Sequence, residues 1–381
     1  MGKYLDDLDN KLKLTHQDDY SRYQYQSFMT GPEWRNVEMA EEFAQFLNDG
    51  NSYFFFPFFR QTAGLWRVFW HSFRAARQYN SFMEVATSEY MLMDLFVCIF
   101  TTMEMLPKGM MSLLLWPFLN KSNPTPMQQH LAEAAKKYAA DLQTVPFYDH
   151  DYDSMRRDLA QKYQQCQPVS WVDWWSWKYV SLELFARKWI SKPLQWIYSA
   201  VPEGKEGEEA TPVTQVPPVT DAIVKLKLPG QVPEAEAKKA MTDKLSNILG
   251  VAVVDNHVFV KPTKEETNET SIYAYVRVPR YKAFIQTVKA MKEEDIHLRR
   301  IAGQDRIQIK CEQTASEQLT DEVPVAATKS DNEAKILYSY GDCLHANRRI
   351  LMFDAPIKNL DQTLDKLESQ DGTRIEFIHN F

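Results

Sequence analysis

Cysteine is scarce and scattered: the 381 residues contain four (Cys98, Cys166, Cys311, Cys343) and no CxxC pair. That spacing excludes a zinc ribbon and a redox dithiol, and it predicts free thiols in a reducing compartment. There is no P-loop, dinucleotide fingerprint, HExxH or GxSxG, so nothing in the chain points to catalysis, and no cofactor is expected. The opening residues, MGKYLDDLDNKLKL, lack the charged-then-apolar order of a signal peptide. Asp6 stands where myristoylation of Gly2 calls for Ser or Thr, and IEFIHNF at the other end holds no prenylation box. A cytoplasmic location is therefore expected. A net charge of −7 speaks against a nucleic-acid surface over the whole protein and leaves room only for a local basic face. No nucleic-acid partner is expected.

Tryptophan is absent after Trp196, whereas six of the ten fall between Trp171 and Trp196, so the two halves of the chain differ in kind. Two stretches have too little apolar surface to offset their ordering entropy: 202–220 (PEGKEGEEATPVTQVPPVT) and 312–333 (EQTASEQLTDEVPVAATKSDNE). They divide the chain into a helical part (1–201), a linker (202–220), an α+β module (221–311), a second linker (312–333) and an extension (334–381).

Before residue 202 the apolar spacing is helical throughout. It predicts helices over 32–47, 60–80, 84–106, 126–142, 154–165 and 170–198, an all-α domain. After residue 220 the pattern alternates. AIVKLKLP (222–229), SIYAYVRVP (271–279) and RRILMFDAP (348–356) each reach a proline that stops a strand, and each precedes a helical stretch and a further strand. Taking 251–262 as one hairpin and 305–311 as a last strand, 222–311 reads β-α-β-β-α-β, the string of a ferredoxin-like α/β sandwich. An unrelated α+β module with the same string stays open. KILYSY (335–340) either extends that sheet or begins a second one.

The most unusual stretch is YFFFPFF (53–59), where Phe54, Phe55, Phe56, Phe58 and Phe59 surround Pro57. In the helix that follows, Arg60, Arg67 and Arg74 fall within about 40° of one another, opposite Leu65, Trp66, Phe69, Trp70, Phe73 and Ala76. Residues 60–80 contain no Asp or Glu. A basic face opposed to an aromatic face is the composition of a helix lying in the headgroups of an anionic membrane, with the phenylalanines docking first. Residues 88–119 are the most apolar of the chain but carry Asp94 and Glu104, each costing about 2.5–3.5 kcal/mol at the centre of a simple span. Pro107, Lys108 and Gly109 are expected to break this helix, which favours a shallow wedge or a buried helical pair over a two-pass hairpin. In 170–201, Trp171, Trp174, Trp175, Leu182, Phe185 and Trp189 form one stripe, with Lys178, Arg187, Lys188 and Lys192 placed to reach headgroups.

PFFRQTAGLW, RAARQY, SEYMLM and TTMEMLPKG, all within 57–109, resemble a family of bacterial membrane-associated proteins of no assigned activity. The matching residues are Pro57, Arg60, Gln61, Thr102, Glu104, Lys108 and Gly109. The resemblance covers about a seventh of the chain and implies a bacterial cytoplasmic or inner-membrane setting, not a reaction.

The remaining candidates are weaker. YDHDYD (148–153) has carboxylates and an imidazole but no calcium-loop glycine or closing glutamate, and it reads as the acidic start of a helix. No metal site is expected. Cys343 and His345 sit in a loop without a nucleophile elbow. The expectation is a peripheral membrane protein on the cytoplasmic face, whose α+β module binds another protein or a small regulator. Alternatives are a wholly soluble helical core, a spanning segment, a scaffold for a partner helix, and an enzyme acting on lipids in a Trp-lined pocket with Asp94 and Glu104 as its polar groups.

Overall fold

The computed structural model describes residues 2–15, 31–77, 81–143, 145, 147–166, 169–198, 219–261, 269–279, 282–301, 303–314, 333–345 and 347–379. They belong to two compact units, one formed by 23–216 and the other by 1–22 together with 217–381. Most of the two predicted linkers, 202–218 and 315–332, lies outside the described residues.

The first helix, α1 (Gly2–Thr15), joins the second unit although it lies within the stretch read as the helical domain. Leu5 and Leu8 are buried there against the sheet residues Ile223, Val254, Tyr273 and Tyr275. Leu5 and Leu8 lie three apart on one face of this short helix, and such an apolar edge needs a flat apolar surface to cover it.

The helical unit contains α2 (Gly31–Asn48), α3 (Phe58–Ala76), α4 (Phe82–Ala86), α5 (Glu89–Leu115), α6 (Pro126–Asp141), α7 (Tyr152–Gln165) and α8 (Trp171–Tyr198). Several of these helices start at side chains that accept from otherwise orphan N–H groups, whereas α3 starts at Pro57 without such a cap. Ser88 Oγ accepts from Met91 N at 3.1 Å, and Thr125 Oγ1 from Gln128 N at 3.2 Å with Pro126 in the first turn. Asp151 Oδ1 accepts from Ser154 N at 2.9 Å, so part of the acidic YDHDYD does start a helix.

Two expectations need correction here. The stretch 84–106 is two helices rather than one, since α4 and α5 meet at 87–88. Pro107, Lys108 and Gly109 do not end α5, which continues to Leu115. Tertiary contacts hold the helix through them: Lys108 is buried in an ion pair with Glu183, and Gly109 lets the Phe59 ring come close. A Cβ at 109 would stand 2.8 Å from Phe59 Cζ.

The second unit carries two four-stranded antiparallel sheets. The first comprises β1 (Val219–Pro229), β2 (Ala252–Lys261), β3 (Glu269–Pro279) and β4 (Ile296–Ile301), in the order β2-β3-β1-β4. The second comprises β5 (Arg306–Thr314), β6 (Lys335–Gly341), β7 (Arg348–Pro356) and β8 (Thr373–His379), in the order β6-β7-β5-β8. The helices α9 (Glu234–Ser246), α10 (Lys282–Glu293) and α11 (Leu360–Glu368) share one apolar core with residues of both sheets. Residues 251–262 thus supply a single strand with a register shift, not a hairpin. The strand at 305–311 belongs to the second sheet, and KILYSY pairs there too rather than extending the first. β1 and β5 also reach into the stretches read as linkers, at 219–220 and 312–314.

Candidate functional site

The helical unit buries a charged cluster and exposes apolar helix faces. At its centre, Arg187 donates from Nε and Nη2 to Glu104 at 2.7 and 2.6 Å, and from Nη2 to Glu183 at 2.7 Å. Lys108 completes the set by pairing with Glu183. Glu104 and Lys108 are four apart on α5, and Glu183 and Arg187 are four apart on α8, so each helix contributes one acid and one base from one face. Burial lifts the Glu104 carboxyl above its usual range in spite of Arg187. Burial pulls Glu183 the same way, but Lys108 and Arg187 together outweigh it and hold its carboxyl below the usual range. The guanidinium of Arg187 also lies 4.8 Å from the Tyr138 ring centroid.

Beside this cluster is a cavity of about 80 Å³ with a mostly apolar wall that includes Met39, Phe43, Phe58 and Leu159, and a polar end at Lys108, Glu183 and Arg187. Tyr53 lines it too, and its buried hydroxyl makes no hydrogen bond among the described residues. A second network surrounds the buried Arg35, which donates to Glu42 at 2.6 and 3.1 Å and to Glu38 at 3.0 Å and also meets Gln61.

YFFFPFF is largely core. Tyr53, Phe54, Phe56 and Phe58 are buried, Phe55 is half-buried, and only Phe59 is exposed. The rings meet edge-on, Phe43 to Tyr53 at 5.4 Å and Phe56 to Phe58 at 5.3 Å, the arrangement that aromatic quadrupoles favour. Phe54, Phe56 and Phe58 therefore offer no surface to a membrane. On α3, Arg60, Arg67 and Arg74 are exposed together, as the spacing predicts. The arc opposite them is core rather than a membrane face. Leu65 and Phe69 are buried with Met39 and Cys98, and half-buried Trp66 donates to Thr102 Oγ1 at 2.9 Å. Trp70 alone of that arc is well exposed, and it borders the arginine side.

The exposed apolar surface is on α5 and α8. On α5, Leu92, Ile99, Met103, Leu106, Met110, Leu113 and Leu114 share an arc of about 100°. No charged side chain described on this helix is exposed, because Asp94 and Lys108 are buried and Glu104 is tied to Arg187. The stripe continues past the helix into Trp116 and Phe118, the latter 77% exposed. On α8, Trp171, Trp174, Trp175, Leu182, Phe185, Trp189 and Trp196 occupy a similar arc and all are exposed, Trp196 to 89%. Lys178 and Lys192 lie in that stripe, their ammonium groups 5.6 Å from the Trp174 ring and 4.1 Å from the Trp189 ring. The other two cations expected to reach headgroups are engaged elsewhere: Arg187 in the buried cluster and Lys188 with Asp153.

Asp94 and Glu104 do not form one polar site. Asp94 faces Cys98, whose thiol is pushed up to about 12 by burial and then by that carboxylate, whereas Glu104 belongs to the Arg187 cluster. Glu183 and Tyr53 were not singled out from the sequence, and Arg187 was read there as a headgroup contact rather than as a buried partner of Glu104. The paired E-x-x-x-K and E-x-x-x-R spacings are visible signals, but spacing carries no sign of burial. Among the described residues no group of His, Cys, Asp and Glu could hold a metal ion. None of the described helices is long and apolar enough to cross a membrane. No protein-family model, curated protein or solved structure matches the chain.

Proposed function

We propose that this is a non-catalytic, membrane-associated protein whose helical unit rests on the cytoplasmic face of an anionic membrane without crossing it. The observation that carries this reading is the pair of long helices, α5 and α8, each with a long exposed apolar stripe, that of α8 interrupted by Lys178 and Lys192. In water such faces are costly and mark a surface meant to be covered. Their composition favours a lipid interface as the cover. Tryptophans at the headgroup level keep their rings in apolar surroundings and their N–H groups near water, and Lys178 and Lys192 lie among them to reach phosphates. The exposed Arg60, Arg67 and Arg74 add positive charge of the sign that anionic lipid attracts.

The α+β unit is the interaction part in this reading. The strand order β2-β3-β1-β4 is that of a ferredoxin-like sandwich, and β6-β7-β5-β8 repeats it. Such sheets serve many ligands, so the order supports a module for a protein partner or small regulator without naming one.

Flotation with neutral and with anionic vesicles, followed by a high-salt wash, tests the membrane reading. Binding that prefers anionic vesicles and resists salt is expected. Absence from both kinds of vesicle would overturn it and leave a partner protein as the cover for α5 and α8.

A further inference from the structure

The first sheet of the α+β unit has two faces of different chemistry. Ala222, Val224, Leu226, Ile272, Ala274 and Val276 face the helices in the main core. The alternate residues face the other way: Ile223 and Lys225 on β1, Tyr273 and Tyr275 on β3, and Phe259 on β2. β1 and β3 are the two central strands, and their register sets Tyr275 opposite Ile223 and Tyr273 opposite Lys225.

Among the described residues, cations outnumber carboxylates on this face: Lys225, Lys227, Lys261 and Arg299 gather there, with Glu269 paired to Lys227 and Asp221 to Arg277. Lys225 is brought down to about 8, first by burial and then by Arg299, Lys227 and Lys261 around it. Its ammonium lies 5.6 Å from the Tyr273 ring centroid, and the buried Tyr273 hydroxyl makes no hydrogen bond among the described residues. The helix α1 covers the face in a telling way. The Tyr4 ring sits 5.3 Å from that of Tyr273, Lys261 reaches over Tyr4 at 5.0 Å, and Asp6 pairs with Arg300. α1 therefore lays a ring on a tyrosine and an anion on an arginine. A nucleotide brings the same two groups, a base and a phosphate.

We propose that this sheet face is a platform for a short single strand of nucleic acid, with bases stacked on Tyr273 and its aromatic neighbours and phosphates on Lys225, Lys261 and Arg299, and that α1 is its built-in competitor. Tyr273-Ala274-Tyr275-Val276 sets two rings two residues apart on a central strand, the placement by which four-stranded RNA-binding sheets hold splayed bases. A duplex keeps its bases stacked inward and offers no ring face to such a platform. The expectation of no nucleic-acid partner rested on net charge, which averages over the chain and hides a face of this sign. The proposal rests on reading the α+β unit as an interaction module and is independent of membrane docking.

The test is fluorescence anisotropy with a labelled 12-nucleotide oligouridine and the full-length chain. Leu5→Asp with Leu8→Asp releases α1 and should tighten binding about tenfold or more, because two buried leucines hold it down. In that background Tyr273→Ala should weaken binding by about tenfold, the order of one lost stack, and Tyr273→Phe should retain it. Binding should fall with added salt, and a duplex of equal length should bind at least about tenfold more weakly. No saturable binding by the α1-released chain, or binding that Tyr273→Ala and Lys261→Gln both leave unchanged, would overturn the proposal. So would binding of a peptide of residues 2–15 to that chain where the oligonucleotide does not bind, which would assign the face to an amphipathic helix of a protein partner. Vesicle flotation of the same variants should be unchanged, which keeps failure of this proposal distinct from failure of the membrane reading.

Discussion

Arg187 is the residue on which the buried charge cluster of α5 and α8 depends. Replaced by methionine, it leaves Glu104 without its guanidinium partner and Glu183 with Lys108 alone. Arg187→Met is expected to lower stability by about 3–5 kcal/mol, the usual cost of stranding a buried charge, as measured by urea unfolding. Changing Glu104→Gln in the same chain should recover a large part of that loss, which a double-mutant cycle would read as coupling. His150 offers a pH signal. Burial, and then Arg187, brings its imidazole down to about 4 from the ordinary 6.5. The folded chain thus takes up that proton less readily than the unfolded chain does. Stability is expected to fall as pH is lowered from about 6.5 to 4, by at most about 3 kcal/mol from this group, and His150→Gln should flatten that slope. Glu104 was legible in the sequence as an acid in an apolar run. Its partner was not, because Arg187 lies 83 residues away and nothing local joins them.

At the scale of elements, the lesson comes from helices that are apolar on two sides. Periodicity identifies α5 and α8 but cannot say which apolar side is core, since both satisfy the same 3.6-residue spacing. YFFFPFF shows the converse: an aromatic run that reads as surface bait is core, because it stands where several helices converge and edge-to-face contacts fill the space. Trp174→Ser with Trp189→Ser is expected to lower partition into anionic vesicles by about tenfold or more, with little change in unfolding, because both rings are already exposed. Leu113→Glu with Leu114→Glu should do the same for the α5 face. Phe56→Ala, by contrast, should cost about 3–5 kcal/mol of stability through the cavity it leaves, read by the same unfolding measurement.

For the whole molecule, the change from a helical region to an α+β region was legible from the change in hydrophobic period near residue 220. The membership of α1 was not. Leu5 and Leu8 are covered by a sheet face more than 200 residues on, at Ile223, Val254, Tyr273 and Tyr275. A chain of residues 217–381 alone is therefore expected to be less stable than the same chain carrying residues 1–22. The difference should be on the order of 3 kcal/mol from the two leucines and the rings they shield, read by urea unfolding of both.

The sequence by itself determined the helical half, the α+β half, the prolines that end β1, β3 and β7, and the basic stripe on α3. Each follows from spacing within one element, where backbone geometry turns position into direction. Only the tertiary structure decided that the phenylalanines of 53–58 are largely core, that α5 runs on through Pro107, that Arg187 is buried rather than free, and that the strands fall into two sheets. Those outcomes depend on which distant surface covers a given face, and an amphipathic pattern states that a face must be covered without stating by what.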